Sequence, residues 1–214
     1  MSNTLRNSYD RVAEAYAQKY FHEFDHKPFD RMVLRRFSEQ TRGSGVVCDM
    51  GCGPGEVAAF LHGLGSPVFG VDRSEQMIQQ ARRLSPEISF TCDDMLSLSL
   101  PENHLAGIAA FYAIVHCTPD ELRKAFTEWN RVLKPGGLLL VSFHVGTDTI
   151  HIDEFSGIPV SMDFCFFEPE LVVELVKTAG FTVEDVLLRY PYEGAEYPST
   201  RCYLFAVKQP TKKE

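Results

Sequence analysis

The segment 46-VVCDMGCGPGEVAAFL-61 passes from an apolar run, through three glycines in five residues, into an apolar pattern of helical period. A glycine-rich turn between a strand and a helix lets the backbone approach a ligand closely, because Gly51, Gly53 and Gly55 carry no Cβ to obstruct it. The spacing is G-x-G-x-G, and the sixth position of the dinucleotide-binding pattern is Glu56 rather than glycine. A carboxylate entering the first helical turn repels a pyrophosphate, although it also suits the positive end of a helix dipole. Asp49 adds a second negative charge just before the loop. The loop therefore reads as a cradle for a nucleoside rather than for a phosphate chain.

Working outward, the chain alternates. Pro67–Val71 reads as the second strand, Ser74 as the cap of a helix running to about Leu84, Ile88–Cys92 as the third strand and Leu105–Phe111 as the fourth. The run Thr118-Pro119-Asp120-Glu121 combines a capping box with proline at the first helical position. That helix is expected to end near 134-KPGG-137, before a fifth strand at Leu138–Phe143. Such β-α-β-α order implies a doubly wound α/β fold, a parallel sheet with helices on both faces. Upstream, Tyr9, Val12, Ala13, Tyr16 and Tyr20 recur at steps of 3 and 4, one face of a helix, and a second helix is expected after Pro28. The turn-rich 41-TRGSG-45 marks the boundary of the main domain, with residues 1–42 as an N-terminal helical lid and 43–209 as the domain itself. Residues 144–167 read as loop, a helix follows from Glu168-Pro169 to Gly180, and Val183–Arg189 and Cys202–Val207 read as two further strands. Residues 210–214 read as a frayed tail.

Composition bounds the function. The 214 residues, 44% hydrophobic and 23% charged, are enough for one domain with a real core. A net charge of −8 argues against nucleic acid as a ligand. There is no apolar run of membrane-spanning length, the polar N-terminal segment lacks the apolar core expected of a secretory signal, and the six cysteines form no CxxC pair. Reduced thiols, a cytoplasmic location and no metal site are expected.

Two further carboxylates complete the cradle. Asp72 stands about 20 residues past Gly51 at the tip of the second strand, where a carboxylate accepts hydrogen bonds from both ribose hydroxyls. Asp94, in 92-CDDM-95, projects beside the same crevice and suits the exocyclic amine of a purine, with Asp93 as its substitute one residue away. A nucleoside carrying a positive substituent fits this set better than a dinucleotide does.

At these residues the resemblance becomes specific. VVCDMGCGPGEVAAFL resembles the first motif of class I S-adenosylmethionine-dependent methyltransferases, and 69-FGVDRSEQMIQQAR-82, 90-FTCDDMLSLSLP-101 and 128-EWNRVLKPGGLLLVSFH-144 continue the match in order. The nearest likeness is to the small-molecule branch, the type 11 and type 25 methyltransferase domains. The resemblance implies a Rossmann-like seven-stranded sheet whose last strand is antiparallel, and S-adenosylmethionine as cofactor. By position it implies that Asp49 serves the methionine ammonium, and that Gly51, Cys52 and Gly53 line the methionine and ribose. Asp72 would take the ribose, Arg73 and Met77 would pack near the adenine, and Asp94 and Met95 would meet the adenine edge. Phe111 and Tyr112 would face the reacting end. The N-terminal YDRVAEAY matches a recurring YDxxAxxY, which implies that Tyr9 and Tyr16 close over the cofactor.

Methyl transfer is an in-line displacement, so an enzyme contributes chiefly positioning and the exclusion of water. A general base is needed only where the acceptor must lose a proton. His116 and His144, each after a strand at the carboxyl edge of the sheet, are the candidates. The insertion 145–167 and the linker 189–200, rich in aromatics and carboxylates, are expected to form the pocket for a small-molecule acceptor. The expected protein is a methyltransferase, monomer or homodimer. The competing readings are a non-catalytic cofactor-binding or scaffolding protein on the same fold and, less favoured, an NAD-dependent oxidoreductase.

Overall fold

The computed structural model describes residues 3–194 and 196–210. The amphipathic stripe and Pro28 open the chain as α1 (Asn3–Tyr20) and α2 (Pro28–Gln40), joined through a 3-10 turn at Glu23–His26. The alternation follows: β1 (Val47–Met50), α3 (Glu56–Gly63), β2 (Val68–Asp72), α4 (Glu75–Leu84), β3 (Ser89–Cys92) and β4 (Leu105–Phe111). A second 3-10 turn, Ala113–His116, leads to α5 (Pro119–Val132), β5 (Leu133–His144), β6 (Thr149–Phe155) and β7 (Ile158–Cys165). The chain ends with α6 (Pro169–Thr178), β8 (Phe181–Arg189) and β9 (Arg201–Lys208). Local chemistry sets the helix starts. Thr118 and Glu121 make the reciprocal capping box of α5, and the Ser74 hydroxyl accepts from the Met77 amide at 3.2 Å; each cap is worth about 1 kcal/mol.

The strands form one seven-stranded sheet in the order β3-β2-β1-β4-β5-β9-β8. β9 is inserted between β5 and β8 and runs antiparallel to both. The reason is the connection: the 190–200 segment joins neighbouring strands without a crossover helix, and parallel neighbours need one. Every residue of β4 is buried, as expected of a central parallel strand covered on both faces. α5 and α6 pack one face around Trp129, Phe126 and Val172. α2 and α3 pack the other around Phe37, Leu34 and Leu61, and α4 extends that layer with Ile78 and Ala81. Buried Trp129 also donates its indole N–H to the Met95 carbonyl at 3.0 Å, fixing the loop after β3.

Two segments differ from expectation. The 134-KPGG-137 stretch is not a turn before the fifth strand but lies inside it. Leu133 already pairs with Leu105, and the register resumes at Leu138 opposite Gly107, so the intervening residues bulge from the ladder with Gly136 at φ +77°. Residues 149–165, read as loop, form an antiparallel hairpin. Its turn residues Ser156 and Gly157 both have positive φ, 52° and 80°, the backbone of a tight hairpin turn. Apolar Val160 and Met162 alternate with polar neighbours and pack on Val12 of α1, so the hairpin stands against the N-terminal helix instead of joining the main sheet.

No helix among the described residues is long and apolar enough to cross a membrane. All six cysteines are free. The tail expected to fray lies, from residue 211 on, outside the described residues.

Candidate functional site

The glycine loop is tied to the neighbouring strand. The amides of Gly51 and Cys52 both donate to the Val71 carbonyl, at 2.8 and 2.9 Å. Gly51 adopts φ +70°, and a Cβ there would meet Ala113 at 2.7 Å. Gly53 is also left-handed, at φ +51°, but a Cβ on it would meet nothing within 4 Å, so space for a ligand opens above it. Asp72 braces the loop: its Oδ2 accepts from Gly53 N at 2.9 Å and its Oδ1 from Ser74 N at 2.8 Å. Burial nonetheless holds its pKa above the usual carboxylate value.

Around this loop lies a cleft at the carboxyl ends of β1 to β4. Of the sequence-predicted residues, Gly51, Gly53, Asp72, Arg73, Met77, Asp94, Met95, Phe111, Tyr112, Tyr9, Tyr16 and His116 all line it. Asp93 lines it as well, with both oxygens engaged by the amides of Asp94 and Ser99 at 2.8 Å. Asp94 accepts from Leu96 N at 3.0 Å and places its other oxygen 3.7 Å from Arg73 Nε. Asp49 and Cys52 are absent from this lining. Asp49 is buried beneath the loop, its Oδ2 accepting the Ala58 amide at 2.9 Å at the start of α3, and desolvation pushes its pKa up to about 8. Tyr112 takes φ 54°, unusual for a side chain of its size. Its amide is secured by the Ser142 carbonyl and hydroxyl at 3.1 and 3.0 Å.

The two histidines have separate surroundings. His116 Nδ1 sits 2.6 Å from the Asp163 carbonyl, which only accepts, so Nδ1 carries the proton. Nε2 is then bare and accepts from the Tyr9 hydroxyl at 2.6 Å. Burial lowers its pKa to about 4, keeping it neutral. His144 belongs instead to a larger cavity of about 770 Å³ that adjoins the cleft. Its Nδ1 pairs with Ser199 Oγ at 2.7 Å and its ring stacks on Phe166. Burial, then Arg201 and Lys27, lower its pKa to about 4.

This larger cavity is built by the regions expected to meet the acceptor. Tyr16 and Tyr20 come from α1, Phe155 and Phe164 from the hairpin, and Tyr197 from the linker. Phe155 stacks on Tyr16 at 5.7 Å and 27°, closing helix against hairpin. The two spaces share Tyr9, Tyr16, Glu56, Phe111 and Tyr112. Three residues here escaped sequence reasoning as site residues. Glu56, read as a repulsive charge or a dipole partner, stands where cleft and cavity meet, with Oε2 buried and unpartnered. Burial, with Glu23 and Asp49 nearby, holds its carboxyl well above the usual range. Lys27 and Arg201 also line the cavity. A buried cluster lies behind them. Arg189 makes a two-point pair with Glu196 at 2.8 and 2.9 Å and reaches Asp30 at 3.1 Å, and Asp30 also accepts from the Tyr203 hydroxyl at 2.9 Å. The only sequence signal for it was charge, at Asp30 in α2, at Arg189 ending β8 and at Glu196 in the linker, which ordinarily denotes solvent.

Residues 47–137 match the family model described as methyltransferase domain. A Mycolicibacterium smegmatis protein described as a probable S-adenosylmethionine-dependent methyltransferase is 28% identical over 166 residues, 73% of this chain and 59% of that protein. The chain therefore spans less than two thirds of that relative's length. An S-adenosylmethionine-dependent methyltransferase from Methanosarcina mazei shares the fold with a TM-score of 0.71 at 17% identity, over 78% of this chain and 93% of that one. A glycopeptide N-methyltransferase complexed with S-adenosylmethionine superposes with a TM-score of 0.66 at 17% identity, over 82% and 92% of the two chains. The glycine loop braced by Asp72 and the strand order with β9 reversed agree with these likenesses: over residues 47–137 the chain is similar to the methyltransferase domain, and it has the sheet of the solved S-adenosylmethionine-dependent methyltransferases it superposes on.

Proposed function

We propose that this protein transfers a methyl group from S-adenosylmethionine to a small-molecule acceptor held in the cavity beside the cofactor cleft. The observation that carries the reading is the cavity itself. At about 770 Å³ it is the size of a small-ligand site, and it meets the cleft at Glu56, Phe111 and Tyr112. The cleft suits the cofactor: open space above Gly53, a carboxylate at Asp72, and further carboxylates at Asp93 and Asp94.

Bound there, the cofactor would supply an electrophilic methyl on a sulfonium. The chain's residues would do the rest. Asp72 would accept from the ribose hydroxyls while its bond to Gly53 N keeps the loop in shape. Asp94, or Asp93 beside it, and Met95 would meet the adenine edge. Tyr9, Tyr16, Phe111 and Tyr112 would exclude water at the reacting end, where an uncharged aromatic wall favours loss of the sulfonium charge. Residues 1–42 would act as the lid and 145–167 as the outer wall of the acceptor site. His116 has its lone pair engaged by Tyr9, so a proton would reach it only through that hydroxyl. His144 would be the more direct base for an acceptor that has to lose a proton, being in the acceptor cavity itself. With free cysteines and no helix of membrane-spanning character among the described residues, we place the activity in the cytoplasm.

Two measurements test this. Calorimetry should show micromolar binding of S-adenosylmethionine and its demethylated product; no binding to the wild-type protein would remove the proposal. Transfer of labelled methyl groups to a fractionated metabolite extract should yield a low-molecular-weight product. Tight cofactor binding with no transfer would favour a non-catalytic role.

A further inference from the structure

The acceptor cavity contains a buried guanidinium with an unpartnered donor. Arg201 is the first residue of β9 and is only 2% exposed, yet it lines the cavity. Its Nη1 donates to the carbonyls of Tyr197 (2.7 Å) and Ser199, which locks the side chain in place. Its Nε has no hydrogen-bond partner. A buried unmet donor on a cation costs free energy unless a ligand satisfies it, and a guanidinium matches a carboxylate in both charge and shape.

The neighbouring carboxylate does not meet that need. Glu196 Oε1 is 3.5 Å from Arg201 Nε, an ion pair without a hydrogen bond. Both its oxygens are engaged by Arg189, and one also accepts the Tyr192 amide at 2.8 Å. Lys27 contributes a second cation to the same wall, bonded to Glu23 at 2.7 Å and 3.6 Å from Glu196. Burial raises the pKa of Glu23, which weakens it as a counter-charge. His144 lies opposite Arg201 in the β5–β9 register. Burial is the main reason that its pKa falls, to about 4; Arg201 and then Lys27 add to the fall, with Glu196 the lesser, opposing influence, so both cations bear on this wall. The rest of the lining is mostly aromatic and aliphatic, with Phe155, Phe164 and Phe166 from the hairpin side, and includes Lys19, His26 and Glu56, whose carboxyl is held by burial well above the usual range.

Resting on the proposed function, we infer that the acceptor is an anionic small molecule, a carboxylate on an aromatic or apolar body, held by Arg201 with Lys27 as its second cation. The carboxylate completes the hydrogen bonding of the Arg201 Nε, and the apolar body lies along the hairpin aromatics. A cationic amine is the wrong charge for this wall.

The test uses the full chain saturated with S-adenosylhomocysteine and matched probes: 4-hydroxyphenylacetate and 3-phenylpropionate, their primary amides, and tyramine. Binding is read by calorimetry and by ligand-observed NMR. The acids should bind at least about tenfold more tightly than their amides, as expected for a charge-assisted bidentate contact. Arg201→Gln should abolish that preference and Lys27→Gln should reduce it about threefold, while affinity for S-adenosylhomocysteine stays within about twofold in both. Arg201→Lys keeps the charge without the fork and should restore part of the preference. If Arg201→Gln does not fold, the Lys27→Gln result and the wild-type acid-to-amide ratio decide. Equal binding of acids and amides, stronger binding of tyramine, or no binding of any acid would overturn the inference. Absence of S-adenosylhomocysteine binding would instead overturn the function on which it rests.

Discussion

The cleft around the glycine loop and the larger cavity beside it share one wall but are made differently. The cleft gathers residues from the carboxyl ends of four consecutive parallel strands, and its geometry is enforced by backbone: Gly51, Cys52 and Gly53 are all held by hydrogen bonds to β2. The cavity gathers residues from α1, the turn before α2, the β6–β7 hairpin and the start of β9, which are far apart in the chain. What holds it is side-chain chemistry, the Asp30–Arg189–Glu196 cluster and a stack of aromatic rings.

If that contrast is right, perturbing each half should leave the other intact. Arg189→Ala should have the largest effect. It strands Asp30 and Glu196, whose side chains are 0% and 1% exposed, and removal of one partner from a buried ionic cluster costs about 3–5 kcal/mol. Urea unfolding should show that loss, and cofactor affinity in the surviving folded fraction should change little. Asp72→Ala should weaken S-adenosylhomocysteine binding about 100-fold by calorimetry, through two lost charge-assisted hydrogen bonds. The packing of the acceptor cavity should be unaffected, as read by its aromatic NMR shifts.

His116 sharpens the boundary, because it links Tyr9 of α1 to the hairpin carbonyl of Asp163. Its folded pKa, about 4, lies below its ordinary 6.5. Its neutral form therefore contributes stability that is fully present above pH 6.5 and is lost as the pH falls toward 4. The stability difference between wild type and His116→Gln should shrink across that window, as followed by urea unfolding at pH 7 and pH 4.5. A gap that stays constant would mean that His116 is not held neutral. The smallest effect expected is that of Phe155→Ala, which removes the ring stacked on Tyr16 and facing Lys19 at 5.2 Å. Acceptor KM should rise about 3–10-fold with cofactor affinity unchanged.

Most of the cleft was legible in advance because its signals are local. Glycines that take positive φ, carboxylates at the ends of β2 and β3 and the Thr118 capping box are short-range patterns, and the structure places Asp72, Asp94 and Tyr112 in the lining of the same cleft. Asp49 shows the limit of that reading. Its position before the loop suggested a ligand, but its carboxylate turns inward to Ala58 N. The hairpin at 149–165 was obscured by its polar composition, although the Ser156-Gly157 turn and the alternation of Val160 and Met162 carried its signature.

The βα alternation of residues 46–143, the doubly wound α/β class and the likeness to methyltransferase motifs were legible in the sequence itself, since each rests on periodicity or on short motifs within successive βα units. The larger cavity was decided only by the tertiary structure. Lys27, Glu56 and Arg201 stand far apart along the chain; nothing local marks Lys27 or Arg201, and the glycine loop marks Glu56 only as a charge at a helix start. They meet because β9 is inserted antiparallel beside β5, which brings Arg201 opposite His144, and because α1 closes on the hairpin. Whether a charged residue is solvated or buried against a ligand depends on what covers it, and that is a property of the packed molecule.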